Sequence, residues 1–115
     1  MTRFGSHLKI SLGHAQRVAA ERLFVDTLGC ERPPGPPGAT LLRFADGGVL
    51  GLFWIADADA LTEAQHERST WLEFVVTDPV ATAQRLEAAG VERVRYAATD
   101  HAYFRIPGGP VFRLA

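Results

Sequence analysis

The chain has 115 residues, 47% of them hydrophobic, with a formal net charge of −1 and a pI near 6.4. That is one domain of ordinary size with enough apolar residues for a core, and its near-neutral charge gives no global attraction to nucleic acid or to an anionic membrane. No apolar run approaches the ~20 residues of a membrane span, the start MTRFGSH lacks the apolar stretch of a secretory signal, and the single Cys30 has no internal disulfide partner, so a reducing, cytoplasmic setting is expected.

Residues 7–12 alternate, with Leu8, Ile10 and Leu12 on one side and His7, Lys9 and Ser11 on the other, which reads as a half-buried strand. Residues 15–28 place Ala20, Leu23, Phe24 and Leu28 on one helical face, and Gly29 ends that helix because glycine accepts the left-handed cap geometry. Cys30 follows and is expected to be a small, inert apolar residue. The four prolines of ERPPGPPG exclude helix and central strand and favour an extended loop. Strands are expected at 40–45 and 49–55, joined by the hairpin signal Asp46-Gly47-Gly48. Residues 56–69 are small or polar and read as a connector with a single helical turn, in which Asp57 and Asp59 are solvated. A strand over 71–77 runs into Asp78 and Pro79, an N-cap followed by proline at the first helical position. The helix carries Ala83 and Leu86 on one face and closes at Gly90. Strands follow over 92–97, 102–106 and 111–115, the last two joined by Pro107-Gly108-Gly109-Pro110.

The order of elements is written twice. HLKISLGHAQRVAAERLFVDTLGCE from His7 returns as WLEFVVTDPVATAQRLEAAGVE from Trp71, and LLRFADGGVLGL from Leu41 returns as YFRIPGGPVFRL from Tyr103. Leu42, Gly47, Val49 and Leu52 each stand 62 positions before Phe104, Gly109, Val111 and Leu114, while His7 stands 64 before Trp71. The two-residue slip falls within the helix, ERLFVDTLG against QRLEAAG, where a length change disturbs no strand pairing. The expected architecture is a single α+β domain over 1–115 built of two βαβββ repeats, about 5–55 and 70–115, linked by 56–69 and forming curved mixed sheets around a cleft. Leu8, Ile10, Leu42, Phe44, Leu50, Leu52, Leu72, Phe74, Phe104, Ile106, Phe112 and Leu114 would face the helices. The opposite face would carry His7, Lys9, Arg43, Val49, Gly51, Phe53, Trp71, Glu73, Val75, Tyr103, Arg105, Val111 and Arg113, a mixture of aromatic and basic residues that suits a ligand cleft or a partner.

The paired βαβββ units, the segment VVTDPVATAQRLEAAGVE and the closing YFRIPGGPVFRLA resemble the vicinal oxygen chelate superfamily of glyoxalase I, extradiol dioxygenases and bleomycin-resistance proteins, over nearly the whole chain. In its metal-dependent members the resemblance implies ligands on the first and last strand of each unit, which correspond here to His7, Gly51, Trp71 and Arg113. Of these only His7 can bind a metal: glycine has no side chain, the Trp71 indole N–H has no lone pair to give, and the Arg113 cation repels a divalent ion. About three protein ligands are needed, so neither metal nor cofactor is expected. His14, His66 and His101 lack ligating neighbours at metal spacing.

The resulting expectation is a metal-free, drug-sequestering type of small-molecule binder that forms a homodimer and engages neither nucleic acid nor membrane. Trp71, Tyr103 and Phe53 would stack a flat ligand, His7 would line the cleft, Lys9, Arg43, Arg105 and Arg113 would favour anionic or carbonyl groups, and Glu73 would hold an amine or pair with an arginine. Two enzymatic alternatives stand beside it. One is a metal-dependent lyase, isomerase or dioxygenase using His7, Glu73 and either His101 or His14. The other is a metal-free enzyme with Glu73 as general base.

Overall fold

The computed structural model describes residues 1–96 and 100–115. It has two small mixed sheets and few helices, and the sheets do not close into a barrel. The first sheet contains β1 (His7–Gly13), β2 (Ala39–Arg43) and β3 (Val49–Ile55) in the order β1-β3-β2. The second contains β4 (Trp71–Phe74), β5 (Arg93–Val94), β6 (Tyr103–Arg105) and β7 (Val111–Leu114) in the order β4-β7-β6-β5. In each, the first strand lies parallel to the last, and the hairpin partner lies antiparallel on the other side.

The three strands that the two sheets share pair in the same register. His7 pairs with Val49 as Trp71 pairs with Val111, and Leu42 pairs with Leu50 as Phe104 pairs with Phe112. The slip between the offsets is taken up in the first helix. There α1 (Arg17–Arg22) widens into a π-helical turn over Leu23–Thr27, in which the Leu28 N–H donates to the Leu23 carbonyl five residues back. A wider turn admits extra residues without shifting the strands on either side. The corresponding helix of the second half, α3 (Pro79–Ala88), stays α-helical, with Asp78 capping the Ala81 N–H and Pro79 at its start.

Four expectations need correction. The first half has no full counterpart of β5; a single bridge between Glu31 and Arg43 stands in its place, because the prolines that follow have no N–H to extend a ladder. The connector holds a 3₁₀ turn (Asp57–Asp59) and then α2 (Glu63–Ser69), about two turns rather than one, started by a reciprocal Thr62–Gln65 capping box. Asp57 is not merely solvated: its carboxylate accepts the Ala15 N–H at 3.0 Å and so pins the connector to the end of β1. Leu8 is 49% exposed because β1 is an edge strand whose burial grows only toward Leu12. Several strands are also shorter than expected, and residue 97 of the strand read over 92–97 lies outside the described residues.

One contiguous core joins both halves. Phe24 of the first helix meets Phe44 edge-on at 6.3 Å and Phe74 at 5.8 Å, while Phe44 and Phe74 stack at 5.2 Å. Phe74 then meets Phe112 at 5.2 Å, and Phe112 meets Phe104 at 6.0 Å. Cys30 is buried, which pushes its thiol up to about 11 and leaves it unreactive near neutral pH. A polar chain fastens α1 to the first sheet: the Trp54 indole N–H donates to Thr40 Oγ1, the Thr40 hydroxyl to Glu21, and Arg17 and Arg32 both reach the same carboxylate. Burial alone would raise the pKa of Glu21; the hydrogen bonds from Arg17 and Thr40 and the nearby guanidinium charges outweigh it and hold the carboxyl below its usual range.

The connector helix is clamped onto the second sheet by Arg105. This side chain is 6% exposed. It meets Glu67 at 2.6 Å, Glu92 at 3.2 Å and Glu63 at 3.8 Å. Burial would lower the pKa of Arg105, but the three carboxylates raise it. His66, beside it on α2, is buried; its pKa is lowered by that burial and by the Arg105 charge, against a hydrogen bond with the Gly108 backbone.

Two outcomes follow from this packing. Phe24→Ala empties a fully buried position where helix and both halves meet, and should cost about 3–5 kcal/mol, read as a lower urea midpoint. His66 has a folded pKa below its ordinary value of 6.5, so the stability tied to it is complete above that value and is lost as pH falls through the lower folded one. The urea midpoint should therefore drop on acidification below pH 6.5, and a His66→Gln chain should drop less across the same window.

Candidate functional site

The second sheet carries a built cluster on its face away from α3. Strand register sets two rungs: Glu73, Arg113 and Tyr103 stand opposite one another on β4, β7 and β6, and Trp71, Val111 and Arg105 form the next rung. Within the first rung Arg113 Nε donates to Glu73 at 2.6 Å. The guanidinium of Arg113 also lies over the Trp71 ring, 4.5 Å from its centroid. Hydrogen bonds to Tyr103 and Glu73 raise the pKa of Arg113 further, so it is a permanent cation.

Three aromatic rings extend this cluster. Trp71 meets Tyr103 edge-on at 6.2 Å, and Tyr103 meets Tyr96 edge-on at 4.7 Å. Trp71 and Tyr96 are 49% and 44% exposed, so two of the three offer ring surface to an incoming molecule. Tyr96 was not singled out in the sequence, although it falls within the strand read over 92–97; the observed β5 ends at Val94, two residues before it.

The equivalent rungs of the first sheet are Lys9, Gly51 and Leu41, then His7, Val49 and Arg43. They are built differently. A side chain at Gly51 would meet the Phe53 ring at 2.9 Å, so that ring covers the space where Arg113 stands in the second half. The Lys9 ammonium sits 5.1 Å from the Phe53 centroid. Arg43 is paired with Glu31 at 3.5 Å, and His7 is exposed with its Nδ1 hydrogen-bonded to Ser6. The charged residues singled out in the sequence are thus engaged close to home: Lys9 and Arg43 within the first half, Glu73 and Arg113 within the second, and Arg105 with the connector and Glu92.

A divalent ion at the positions implied by the resemblance would face one imidazole, a bare backbone at Gly51, an indole without a lone pair and a guanidinium resting on that indole. That donor set does not fit a metal. Among the described residues, moreover, no group of three or more His, Cys, Asp or Glu side chains is placed to hold an ion, and this covers the alternative set of His7, Glu73, His14 and His101. Glu73, the candidate base, is occupied by Arg113. Among the described residues no helix is long and apolar enough to cross a membrane.

No family model matches the sequence, and no curated protein is similar to it. Solved structures are similar in fold at low identity. A glyoxalase-related enzyme from Fulvimarina pelagi is 19% identical over 99% of this chain and 88% of its own, with a TM-score of 0.72. A glyoxalase/bleomycin resistance protein/dioxygenase from Nocardioides is 20% identical over 99% of this chain and 83% of its own, with a TM-score of 0.66. The fosfomycin resistance protein FosX from Mesorhizobium loti is 13% identical over 99% of this chain and 92% of its own, with a TM-score of 0.68. With two small mixed sheets in matching register, the chain shares the fold of these glyoxalase-related, glyoxalase/bleomycin resistance protein/dioxygenase and fosfomycin-resistance structures.

Proposed function

We propose that this chain is a metal-free small-molecule binding protein of the drug-sequestering kind, with its ligand seated on the Trp71–Tyr103–Tyr96 surface. One observation carries the reading: the Arg113 guanidinium lies on the Trp71 ring, so two of the positions that bear metal ligands in metal-dependent members hold a cation and its aromatic partner. The exposed ring surface of Trp71 and Tyr96 suits a flat aromatic molecule. Because Glu73 already balances Arg113 and three carboxylates surround Arg105, the surface favours aromatic character and carbonyl acceptors over a net anionic charge. Lys9, Phe53, His7 and Arg43 stand on the corresponding face of the first sheet, with Lys9 against the Phe53 ring and Arg43 on Glu31.

The same reading takes the protein as a homodimer. The first strand of each sheet, β1 and β4, is an unpaired edge among the described strands, and Leu8, Trp71 and Val75 on or next to these edges are 49%, 49% and 80% exposed. Apolar side chains beside open ladder groups are what a second copy covers.

A thermal-shift and tryptophan-fluorescence screen of planar aromatic compounds and glycopeptide drugs tests the binding reading. At least one compound should stabilise the chain and quench its fluorescence, with affinity about tenfold weaker in Trp71→Ala. Elemental analysis of the purified protein should find no stoichiometric transition metal; a full equivalent would refute the metal-free assignment. Sedimentation at micromolar concentration should give the mass of a dimer, and a monomer there would remove the second copy from the account.

A further inference from the structure

A cavity of about 470 Å³ lies between the start of α1 and the proline loop, residues 31–38. Arg17 of α1 and Arg32 at the head of the loop line it, with Pro33, Pro36 and Leu41 among its apolar walls. None of Trp71, Tyr96, Tyr103 or Arg113 borders it, so it is separate from the aromatic surface described above. Its volume suits one compact molecule.

Charge at this place does not balance. Arg17 Nε and Arg32 Nη1 each meet one oxygen of Glu21 at 2.8 Å, so two guanidiniums converge on a single carboxylate. Two cations against one anion leave one positive charge, and among the described residues these two arginines are the only charged groups in the lining. A guanidinium has several N–H donors, of which Glu21 engages one on each side chain. The two side chains are 41% and 47% exposed, so the remaining donors stay within reach of a solute. The pair is held from behind. Glu21 accepts from the buried Thr40, Thr40 accepts from the Trp54 indole, and the Arg17 guanidinium lies 5.5 Å from the Trp54 ring centroid. The facing wall is equally fixed: four prolines restrict the loop backbone, the Glu31–Arg43 bridge ties its start, and the Trp54 N–H donates to the Gly38 carbonyl at 3.0 Å. Groups fixed before a ligand arrives lose little freedom on binding it.

We propose that this cavity binds a small organic acid, its carboxylate on Arg17 and Arg32 and its apolar body against the proline rings and Leu41. Guanidinium and carboxylate match in planar, charge-assisted pairing. A phosphate cradle is built from successive backbone N–H groups; over residues 33–38 only Gly35 and Gly38 carry one, so the loop offers ring surface instead. The site stands independently of the aromatic surface, and either can fail without the other.

Titration of the full-length, ¹⁵N-labelled chain with benzoate, and in parallel with benzamide and with inorganic phosphate, tests the assignment. Saturable shifts are expected at the Gly35 and Gly38 amides and at the Arg17 and Arg32 Nε–H groups, with benzoate bound at least about tenfold more tightly than either of the other two. Arg32→Gln, at a half-exposed position outside the core, should weaken benzoate about tenfold in a folded chain. Arg22→Gln removes the same charge from an exposed position of the same helix outside the cavity, and should change the affinity by less than about twofold. Equal losses in the two variants would reduce the effect to net charge and overturn the site, as would the absence of saturable shifts at these residues. Benzamide binding as tightly as benzoate would overturn the role of the guanidiniums, and phosphate binding as tightly would overturn that of the proline wall. Shifts confined to Trp71 and Arg113 would place the acid on the other surface and refute this one.

Discussion

The two halves of this protein are held as one body by three phenylalanines. Phe24 comes from the first helix, Phe44 from the end of β2 and Phe74 from the end of β4, and each touches the other two. Neither half alone supplies all three rings. The contact fixes where the second sheet sits relative to the first helix, and through Phe112 and Phe104 it continues into the second half's own core. Apolar burial has no direction of its own; edge-on and stacked ring geometry adds one.

From that junction outward, the repeat serves two different ends. Matching register places Arg113 and Gly51 at equivalent points of the two sheets. In the second half the guanidinium lies on an indole and is fixed by Glu73 and Tyr103. In the first half the bare glycine leaves room for the Phe53 ring. Positions at which the resemblance implies metal ligands here include an aromatic and a cationic group that interact with one another. The connector diverges just as far: it is clamped by Arg105 and pinned by Asp57.

Legibility in the sequence followed the range of the interaction. The duplicated pattern, the hairpins at Asp46-Gly47-Gly48 and Pro107-Gly108-Gly109-Pro110, and the Asp78-Pro79 helix start all rest on neighbours in the chain. The matching register did not, since the first strands stand 64 positions apart and the hairpins 62, yet His7 pairs with Val49 as Trp71 pairs with Val111. The two-turn α2 was underestimated because its residues are polar and it carries only a capping box as a start signal. The face that bears Trp71, Glu73, Tyr103 and Arg113 was readable from alternation; Tyr96 fell within the strand read over 92–97, but its contact with Tyr103 is visible only in the fold.

The sequence by itself determined the doubled architecture, the faces of the strands and the residues at the would-be ligand positions, because periodicity and duplication are local. Only the tertiary structure decided how those residues are used. Arg105 and Arg113 occupy similar places on one sheet face and look alike in the sequence, yet one is buried among Glu63, Glu67 and Glu92 while the other rests on Trp71. Which charge meets which depends on segments up to 42 positions apart being folded together, and no local pattern carries that distance.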